Sequence, residues 1–387
     1  MPSLFERYTL KDSVLKNRIV VSPMSQYMAE NGVINDWQFG HLTTMARGGS
    51  GLVFTEEVAV APEGRITPFQ AGLWNDEQAE ALAKAARLIK QNGSVPGIQI
   101  AHAGRKANAN RPWDGDAHIP AGDSRAWETI GPSPISYGEL LPRVPREMTI
   151  ADIQRVIADF AATAVRALDA GFEWLELHFA HGFLAQSFFS PHANKRTDAY
   201  GGSAENRRRF PLEVLAAVRK VWPERLPLIA RLGVIEFDDP QLDAEKIADS
   251  IALTRAMKAG GLDMLDVSLG FNTPKARVPF EKPGFLVDIA ADIGRQAEIP
   301  IATSWSIFTP DQADAIVREE KADLVMLGKP LLANPHWPYF AAQQLGVESP
   351  SWVLPAPYAH WLARYPRDEH GRSIVPARDR VHRTIPD

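Results

Sequence analysis

Two histidines three positions apart are the residues of this sequence best suited to chemistry. His178 and His181 stand in the run Leu-His-Phe-Ala-His-Gly. Two imidazoles at this spacing could ligate a metal ion. They could equally donate two hydrogen bonds to one oxygen and so polarise a carbonyl or nitro group. A structural role is the third interpretation, and the spacing alone does not decide among the three.

Gln99 and Arg231 are polar residues inside apolar runs. Burying an amide without a partner costs on the order of a few kcal/mol, so Gln99 needs one. Arg231 could lie in an internal salt bridge. Facing one pocket, an amide and a cation would also suit a planar heterocycle with carbonyls and ring nitrogens, such as an isoalloxazine. An arginine near the N1–C2=O edge of that ring would stabilise its anionic reduced form.

Two short segments near the end of the chain are candidates for a phosphate site. Ser304-Trp-Ser306 and Leu327-Gly-Lys-Pro330 each follow an apolar run, at the position where barrels commonly hold a phosphate. No Gly-rich dinucleotide fingerprint follows an apolar run and opens a helix. This argues against a nicotinamide cofactor bound in the Rossmann manner.

Eight short apolar runs position these residues. Several are β-branched or flanked by Gly or Pro, as buried parallel strands usually are. The predicted strands are Arg18–Pro23, Gly51–Thr55, Gly97–His102, Trp174–Phe179, Leu226–Arg231, Leu262–Ser268, Pro300–Thr303 and Ala322–Gly328. Their alternation with helices predicts an α/β fold, a closed (β/α)8 TIM barrel. A doubly wound open sheet is the competing architecture.

The segments between these runs carry helix-start signals. Asp76–Gln91 opens with acidic residues. Thr149-Ile-Ala-Asp152 resembles a capping box and leads into a helix that Gly171 should end. Further helices are predicted to begin at Ser203 and to cover Asp243–Ala259 and Pro310–Glu319.

The carboxyl ends of barrel strands face one shared pocket, so the residues there form the candidate site. They are Pro23, Met24, Ser25, Glu56, Glu57, Gln99, His102, His178, His181, Arg231, Ser268, Ser304, Trp305, Gly328 and Lys329. Hydrogen-bond donors dominate the set. Carboxylates do not converge in the way that a glycosidase would need.

Two segments depart from the alternation of strands and helices. The stretch 103–147, rich in Pro, Gly and Trp, is predicted as a long capping loop after the third strand. Such loops often carry function, although a structural flap is the alternative. We expect one barrel domain over residues 1–345 and an extended C-terminal tail over residues 346–387. The aromatic part of the tail should dock on other protein, and its last, charged residues should be disordered.

The composition bounds the class of protein. Of 387 residues, 45% are hydrophobic and 23% charged, which is ordinary for a globular protein with a large core. A net charge of -5 argues against nucleic acid or an anionic membrane as partner. There is no cysteine, which excludes disulfides, thiolate metal sites and cysteine nucleophiles within the chain. With no signal peptide over Met1–Val21 and no membrane-length apolar stretch, we expect a cytoplasmic enzyme.

Longer motifs resemble those of the Old Yellow Enzyme family, most closely its thermophilic-like subgroup. They are Pro23-Met-Ser-Gln-Tyr27, Gly64-Arg-Ile-Thr67, Ile98-Gln-Ile-Ala-His-Ala-Gly-Arg105, His178-Phe-Ala-His-Gly182 and Asn194-Lys-Arg-Thr-Asp-Ala-Tyr-Gly-Gly-Ser203. The resemblance covers nearly the whole chain. It implies an ene-reductase with tightly bound FMN, fed by NADPH or NADH, that reduces activated C=C bonds of enones and related electron-poor small molecules.

The resemblance also implies roles for individual residues. FMN would be held by Pro23, Met24, Ser25, Glu57, Gln99, His178, Arg231, Ser304, Trp305, Ser306, Gly328 and Lys329. Pro23, Met24 and Glu57 would contribute backbone contacts. His178 and His181 would hold the substrate oxygen rather than a metal ion. Tyr27, Ile66, Phe183 and Trp305 would shape the substrate pocket.

Trp361 would reach from the tail into the site of a neighbouring subunit. The resemblance therefore implies a homodimer or a dimer of dimers.

Three positions depart from the family pattern around the flavin. Ser25 stands where a cysteine often tunes the flavin, Lys329 where an arginine is common, and Ser306 where a glycine is common. Thiol-based tuning is therefore absent, and the phosphate contacts are left open.

The largest departure is Phe183, which stands where the family usually has the tyrosine that protonates the substrate carbon. A general acid is typically worth about 10²–10⁴-fold in rate. Either Tyr27, as a third catalytic residue, or water supplies the proton, or the chemistry changes. An alkene isomerase or a nitro-compound reductase is the alternative function. A non-catalytic binder of flavin or a steroid-like ligand is a third hypothesis.

Overall fold

Eight parallel strands close into a barrel in this computed structural model, which describes residues 3–365. The barrel strands are Ile19–Val21, Leu52–Ala59, Val95–Ala101, Trp174–Phe179, Leu228–Ile235, Met264–Leu269, Ile301–Thr303 and Leu324–Leu327. The eighth strand pairs with the first through Met326 and Val20, which closes the ring. The predicted (β/α)8 TIM barrel is confirmed, and the open sheet is excluded.

Helices pack around the barrel. The longer ones are Asp36–Arg47, Asp76–Gln91, Ile150–Asp169, Ala204–Arg219, Pro240–Ala259, Val287–Ala297 and Pro310–Arg318. Shorter helices cover Leu184–Phe189, Lys329–Ala333, Trp337–Gln344 and Ala356–Leu362. The predicted capping box is present, because the Thr149 side chain accepts from the Asp152 backbone N–H and the Asp152 carboxylate accepts from Thr149 N. The helix predicted to begin at Asp243 begins earlier, at Pro240, because Asp239 caps its first turn.

Apolar side chains fill the amino-terminal half of the barrel. Those that share one cluster are Val20, Leu52, Phe54, Trp174, Ile229, Met264, Ala302, Leu324 and Met326. A hairpin of Tyr8–Leu10 and Ser13–Leu15 covers this end, with Tyr8 and Leu15 in the same cluster. The Trp174 Nε1 atom donates to Ser13 Oγ at 2.7 Å, so the hairpin is tied to the barrel interior. The polar residues of the candidate site therefore lie toward the carboxyl-terminal end of the barrel strands.

Strand register sets which polar residues are neighbours at that end. Arg231 pairs with His178 on one side and with Asp266 on the other. The fifth strand continues to Ile235, so the expectation that Arg231 ends its strand is wrong. The extra residues are all buried and pair onward with the sixth strand through a register shift. Arg231 therefore lies inside the barrel, below the loops that form the rim.

A bulge in the second strand also determines the direction of a side chain. Phe54 pairs with Gly97, whereas Glu57 pairs with Gln99, so three residues of one strand match two of its neighbour. A one-residue shift moves a side chain to the other face of a strand. The bulge therefore places Glu57, rather than Glu56, in register with the inward-facing Gln99.

The segment 103–147 is largely irregular, as predicted. It contains short 3-10 turns and one strand pair, Ile130–Gly131 with Arg146–Glu147. Its residues Ala103, Ala107 and Trp127 pack with Phe183 in one apolar cluster. The loop therefore contributes to the wall of the pocket as well as covering it.

The tail begins by packing on its own chain. Val353 and Leu354 share a buried cluster with Tyr339 and Ala342 of the helix Trp337–Gln344. The boundary at residue 345 and the packing on a second subunit stay predictions. The expected disorder of the last residues concerns residues 366–387, which lie outside those described. Within residues 3–365, no helix is long and apolar enough to cross a membrane.

The contact between Ser13 and Trp174 gives a test of the fold. Ser13→Ala leaves the buried indole N–H without an acceptor, which should lower the free energy of unfolding by about 1–3 kcal/mol. Equilibrium urea unfolding measures the change. The exposed Ser124 is the matched control, and Ser124→Ala should change stability by less than about 0.5 kcal/mol. Equal midpoints for both variants would show that the hairpin is not held by this bond.

Candidate active site

The two histidines lie together at the carboxyl end of the fourth strand. Their ring centroids are 4.8 Å apart, and the rings meet edge to face. His181 Nε2 lies 2.9 Å from Ser268 Oγ, which also accepts a hydrogen bond from Trp305 Nε1 at 3.0 Å. Because an indole N–H only donates, the Ser268 hydroxyl proton is free for His181 Nε2. Ser268 therefore anchors the ring of His181.

Both imidazoles are neutral. Burial, then the charges of Arg231 and Lys106, holds the pKa of His178 well below its usual range. The pKa of His181 is lowered in the same direction by burial, by His178 and by the same two cations. His178 Nδ1 is buried and has no hydrogen-bond partner among the described residues. A neutral, unpartnered ring of this kind can bind an oxygen or a ring nitrogen of a ligand.

Arg231 is fixed by three neighbours. Its guanidinium donates to Ser22 Oγ at 3.1 Å and to Ser304 Oγ at 2.8 Å. Its Nε lies 3.0 Å from Asp266 Oδ2, so the two residues form an ion pair. The internal salt bridge considered from the sequence is therefore present. Ser304, predicted near the phosphate, has its hydroxyl engaged by Arg231.

A second carboxyl adjoins this ion pair. Gln99 Nε2 donates to Glu176 Oε2 at 3.2 Å. Burial, then the charge of Asp266, raises the pKa of Glu176 well above its usual range, while burial raises the pKa of Asp266 to about 6. Glu176 is therefore the protonated member and Asp266 the partner of Arg231. Glu176 and Asp266 are not predicted as site residues from the sequence, although each lies within a predicted strand and faces the barrel interior.

Glu57 brings a further carboxyl into the site. Its Oε2 lies 3.7 Å from His178 Nε2, and its Oε1 accepts from Gln70 Nε2 at 3.2 Å. Burial raises the pKa of Glu57 to about 8. The same carboxyl contributes, after burial, to raising the pKa of Tyr27. Only a backbone role of Glu57 is expected from the sequence, and the position of its side chain is additional to that expectation.

Aromatic and apolar groups form the walls of the pocket. The Phe183 ring meets His178 edge-on at 5.0 Å between centroids and packs with Ile66 and Trp127. Trp305 meets His181 at 5.9 Å. These contacts bring together most of the residues predicted to shape the substrate pocket. Tyr27 contacts Trp113 of the capping loop, at 6.1 Å between centroids.

Trp361 is placed apart from this group. It lies in the helix Ala356–Leu362, is 72% exposed, and packs edge-on against His360.

Four site residues other than glycine adopt the left-handed backbone conformation. They are Tyr27, His181, Trp305 and Ser306, with φ of 50°, 61°, 75° and 51°. Such residues cost about 1–3 kcal/mol each and concentrate at functional sites. Their clustering around one pocket is independent support for this location, and residue types alone did not predict it.

The residues present fit a flavin. Arg231, Gln99 and His178 are buried polar side chains on neighbouring barrel strands, and Pro23, Met24 and Ser25 follow the first strand, half-buried. A Cβ added at Gly328 would meet only the Met24 side chain, with the Sδ at 3.4 Å, so the backbone there is open to close approach. Ser306 donates to Phe280 O at 2.8 Å, and Lys329 is exposed at the start of the helix Lys329–Ala333. The phosphate contacts of these residues stay predictions.

Comparison with known proteins identifies the family of this chain. Residues 3–348 match the model of the NADH:flavin oxidoreductase / NADH oxidase family. The chain belongs to this family. It is 42% identical over 346 residues to NADPH dehydrogenase from Geobacillus sp. (strain WCH70), covering 89% of this chain and 94% of that protein. NADPH dehydrogenase from Listeria monocytogenes is 41% identical over 354 residues, with 90% and 98% covered.

Solved structures with the same fold include two reductases. Morphinone reductase in complex with tetrahydroNAD superposes with a TM-score of 0.73 at 24% identity, covering 97% of this chain and 98% of that one. A 2-naphthoyl-CoA reductase complex superposes with a TM-score of 0.78 at 25% identity, covering 91% of this chain and 53% of that one. The family and the NADPH dehydrogenase relatives show that the protein is an Old Yellow Enzyme-like NAD(P)H-dependent flavin oxidoreductase, and family membership implies FMN as its cofactor.

The protonation state of the histidines can be measured directly. We expect the ring ¹⁵N resonances of His178 and His181 to remain those of neutral imidazole down to about pH 6. The reason is that their pKa values lie well below the ordinary value of 6.5. Histidine-selective ¹⁵N NMR across a pH series, with His178→Gln and His181→Gln for assignment, gives the result. A midpoint near the ordinary value for either ring would contradict neutral donors.

Proposed function

We propose that this family member is an FMN-dependent ene-reductase, taking hydride from NADPH or NADH and reducing the activated C=C bond of an enone. The pair of neutral imidazoles at one pocket carries this proposal, because it is built to hold an oxygen that gains negative charge. Bound FMN would supply the hydride. His178 and His181 would donate to the substrate oxygen, which polarises the double bond toward its β-carbon.

Other residues would prepare the flavin rather than touch the substrate. Arg231, kept in place by Asp266, Ser22 and Ser304, would offer a fixed positive charge to the N1–O2 edge of the ring. Positive charge there favours the anionic reduced form. Gln99, oriented by Glu176, would bind the pyrimidine edge. Phe183, Ile66, Tyr27 and Trp305 would enclose the substrate and limit access of water.

Within the family we propose placement in the thermophilic-like subgroup, close to xenobiotic reductase A. The stretches Asn110-Arg-Pro-Trp113 and Pro355-Ala-Pro-Tyr-Ala-His-Trp361 support this placement. Trp113 contacts Tyr27, so the first stretch bears on the pocket itself.

Because Phe183 cannot donate a proton, a second function is also proposed. If no group protonates the substrate carbon efficiently, hydride returns and the enzyme isomerises alkenes. A nitro-compound reductase would also dispense with protonation at carbon. Binding of a flavin or a steroid-like ligand without turnover is the non-catalytic alternative.

Anaerobic absorbance measurements test the proposed function. NADPH or NADH should bleach the bound flavin, and 2-cyclohexenone should then restore the oxidised spectrum. Product analysis should show the saturated ketone in amounts equal to the NADPH consumed. Isomerised alkene without net NADPH use would favour the isomerase instead, and reduction of a nitro compound but not the enone would favour the nitro reductase. Turnover no faster than that of free FMN would leave only the non-catalytic alternative, a protein that binds flavin or a steroid-like ligand.

We further propose a homodimer, or a dimer of dimers, in which Trp361 enters the neighbouring subunit's site. The exposure of Trp361 and of Tyr358, at 72% and 41%, supports a covered surface in the assembly. Sedimentation velocity should show a species of at least two chains, and Trp361→Ala should raise KM for the enone by roughly tenfold, as loss of about 1.4 kcal/mol would. A monomeric protein whose KM is unaffected by the substitution would sink this assignment.

A further inference from the structure

Glu57 is a buried carboxyl without a cation beside it. It is 4% exposed. Its polar neighbours are the amide of Gln70, whose Nε2 donates both to Glu57 O at 3.1 Å and to Glu57 Oε1 at 3.2 Å, and the ring of His178 at 3.7 Å. The orientation of Gln70 is set elsewhere, because its Oε1 accepts from Ile66 N. The second oxygen, Oε2, is the one that lies next to His178 Nε2.

The surroundings of Glu57 favour its protonated form. Burial raises the pKa of Glu57 to about 8, and the neighbouring Glu56 adds to the rise. The ionisable groups that face it are Glu56, Tyr27 and the neutral His178. Arg231 and Lys106 act on the histidines and are not among the groups that shift Glu57. At neutral pH the carboxyl therefore carries a proton.

Among the described residues, Tyr27 and Lys106 are the other acids to consider near the histidines. Burial lowers the pKa of Lys106 to about 7, but its Nζ donates to the backbone O of His181 at 2.7 Å. Phe183 packs against His178 but has no acidic proton. Burial raises the pKa of Tyr27 above its ordinary value, which makes its phenol a poor donor. The histidines are neutral and engaged with oxygen in the proposed function. The Glu57 carboxyl lies 3.7 Å from His178, one member of the histidine pair.

We propose that Glu57 supplies the proton that completes reduction at the substrate α-carbon, in place of the acid that Phe183 cannot provide. The inference rests on the proposed ene-reductase function. Hydride adds to the β-carbon, and the π electrons of the C=C bond move onto the substrate oxygen held by His178 and His181. As the enolate collapses, the α-carbon takes the proton of Glu57. The O–H bond of Glu57 breaks, leaving a carboxylate that solvent reprotonates before the next turnover.

The adjacent carboxyl offers a matched control. Glu56 is also buried and its pKa is raised to about 7, but it accepts from Gln26 N, Tyr27 N and Gln38 Nε2 at 2.9, 3.4 and 3.2 Å. These bonds direct it toward the loop after the first strand and the helix Asp36–Arg47. Glu56→Gln therefore makes the same chemical change one residue away from the proposed acid.

Stopped-flow reoxidation of the reduced holoenzyme by 2-cyclohexenone, followed from about pH 6 to pH 10, tests the step. In the wild type the rate should fall as pH rises through about 8, the pKa of Glu57, because the carboxyl loses its proton. Glu57→Gln should be slower by about 10²-fold or more at low pH and should lack this alkaline decline. Glu56→Gln should keep the decline, displaced to somewhat lower pH because the charge of Glu56 no longer adds to the pKa of Glu57. In the double variant Glu57→Gln, Phe183→Tyr the new phenol should restore much of the rate, a rescue that a structural role would not give.

Wild-type rates and pH profile unchanged in Glu57→Gln would overturn the proposal while leaving the proposed function standing. Failure of the wild type itself to react with the enone would count against the proposed function. Infrared spectroscopy of the oxidised holoenzyme tests the role of Glu57 separately from the proposed ene-reductase function, because it needs no turnover. A carboxylic acid C=O band that titrates near pH 8 should be lost in Glu57→Gln and kept in Glu56→Gln. If no such band is lost, Glu57 stores no proton and the inference is wrong.

Discussion

A buried cation organises this active site. Arg231 lies inside the barrel with its guanidinium held by Asp266, Ser22 and Ser304. A charge removed from water survives only when it is paired and hydrogen-bonded, so Asp266 must be ionised, and Glu176 beside it is then the one that stays protonated. Gln99 in turn takes its orientation from Glu176. One ion pair therefore determines the charge, the protonation and the direction of the polar groups beneath the pocket.

The same cation acts on the histidines above it. Arg231 pairs in register with His178, and its charge, added to burial, keeps both imidazoles neutral. A neutral imidazole donates a hydrogen bond without being consumed as an acid, so it can stabilise an oxyanion through repeated turnovers. Ser268 and Trp305 then fix the ring of His181. The site thereby separates the group that binds oxygen from the group that must deliver a proton.

This division of roles accounts for two unusual side chains of the pocket, Phe183 and Glu57. Phe183 shapes the pocket but has no acidic proton. It packs with Ile66 and Trp127 into an apolar wall. Glu57 keeps a proton because the same dry surroundings disfavour its charge. An apolar wall and a neutral carboxylic acid are thus two consequences of excluding water from one space. Tyr27, His181, Trp305 and Ser306 adopt the left-handed backbone conformation around this space.

The barrel architecture and most of the polar residues of the candidate site could be predicted from the sequence. Alternating apolar runs and caps such as Thr149 with Asp152 are local signals, since each depends on residues a few positions apart. The motifs around His178 and Gln99 likewise indicated a flavin enzyme. The position of Arg231 within its strand against Asp266, and the bulge that places Glu57 rather than Glu56 in register with Gln99, became evident only from the folded chain. Those facts depend on register between strands distant in sequence, because a shift of one residue reverses the face on which a side chain lies.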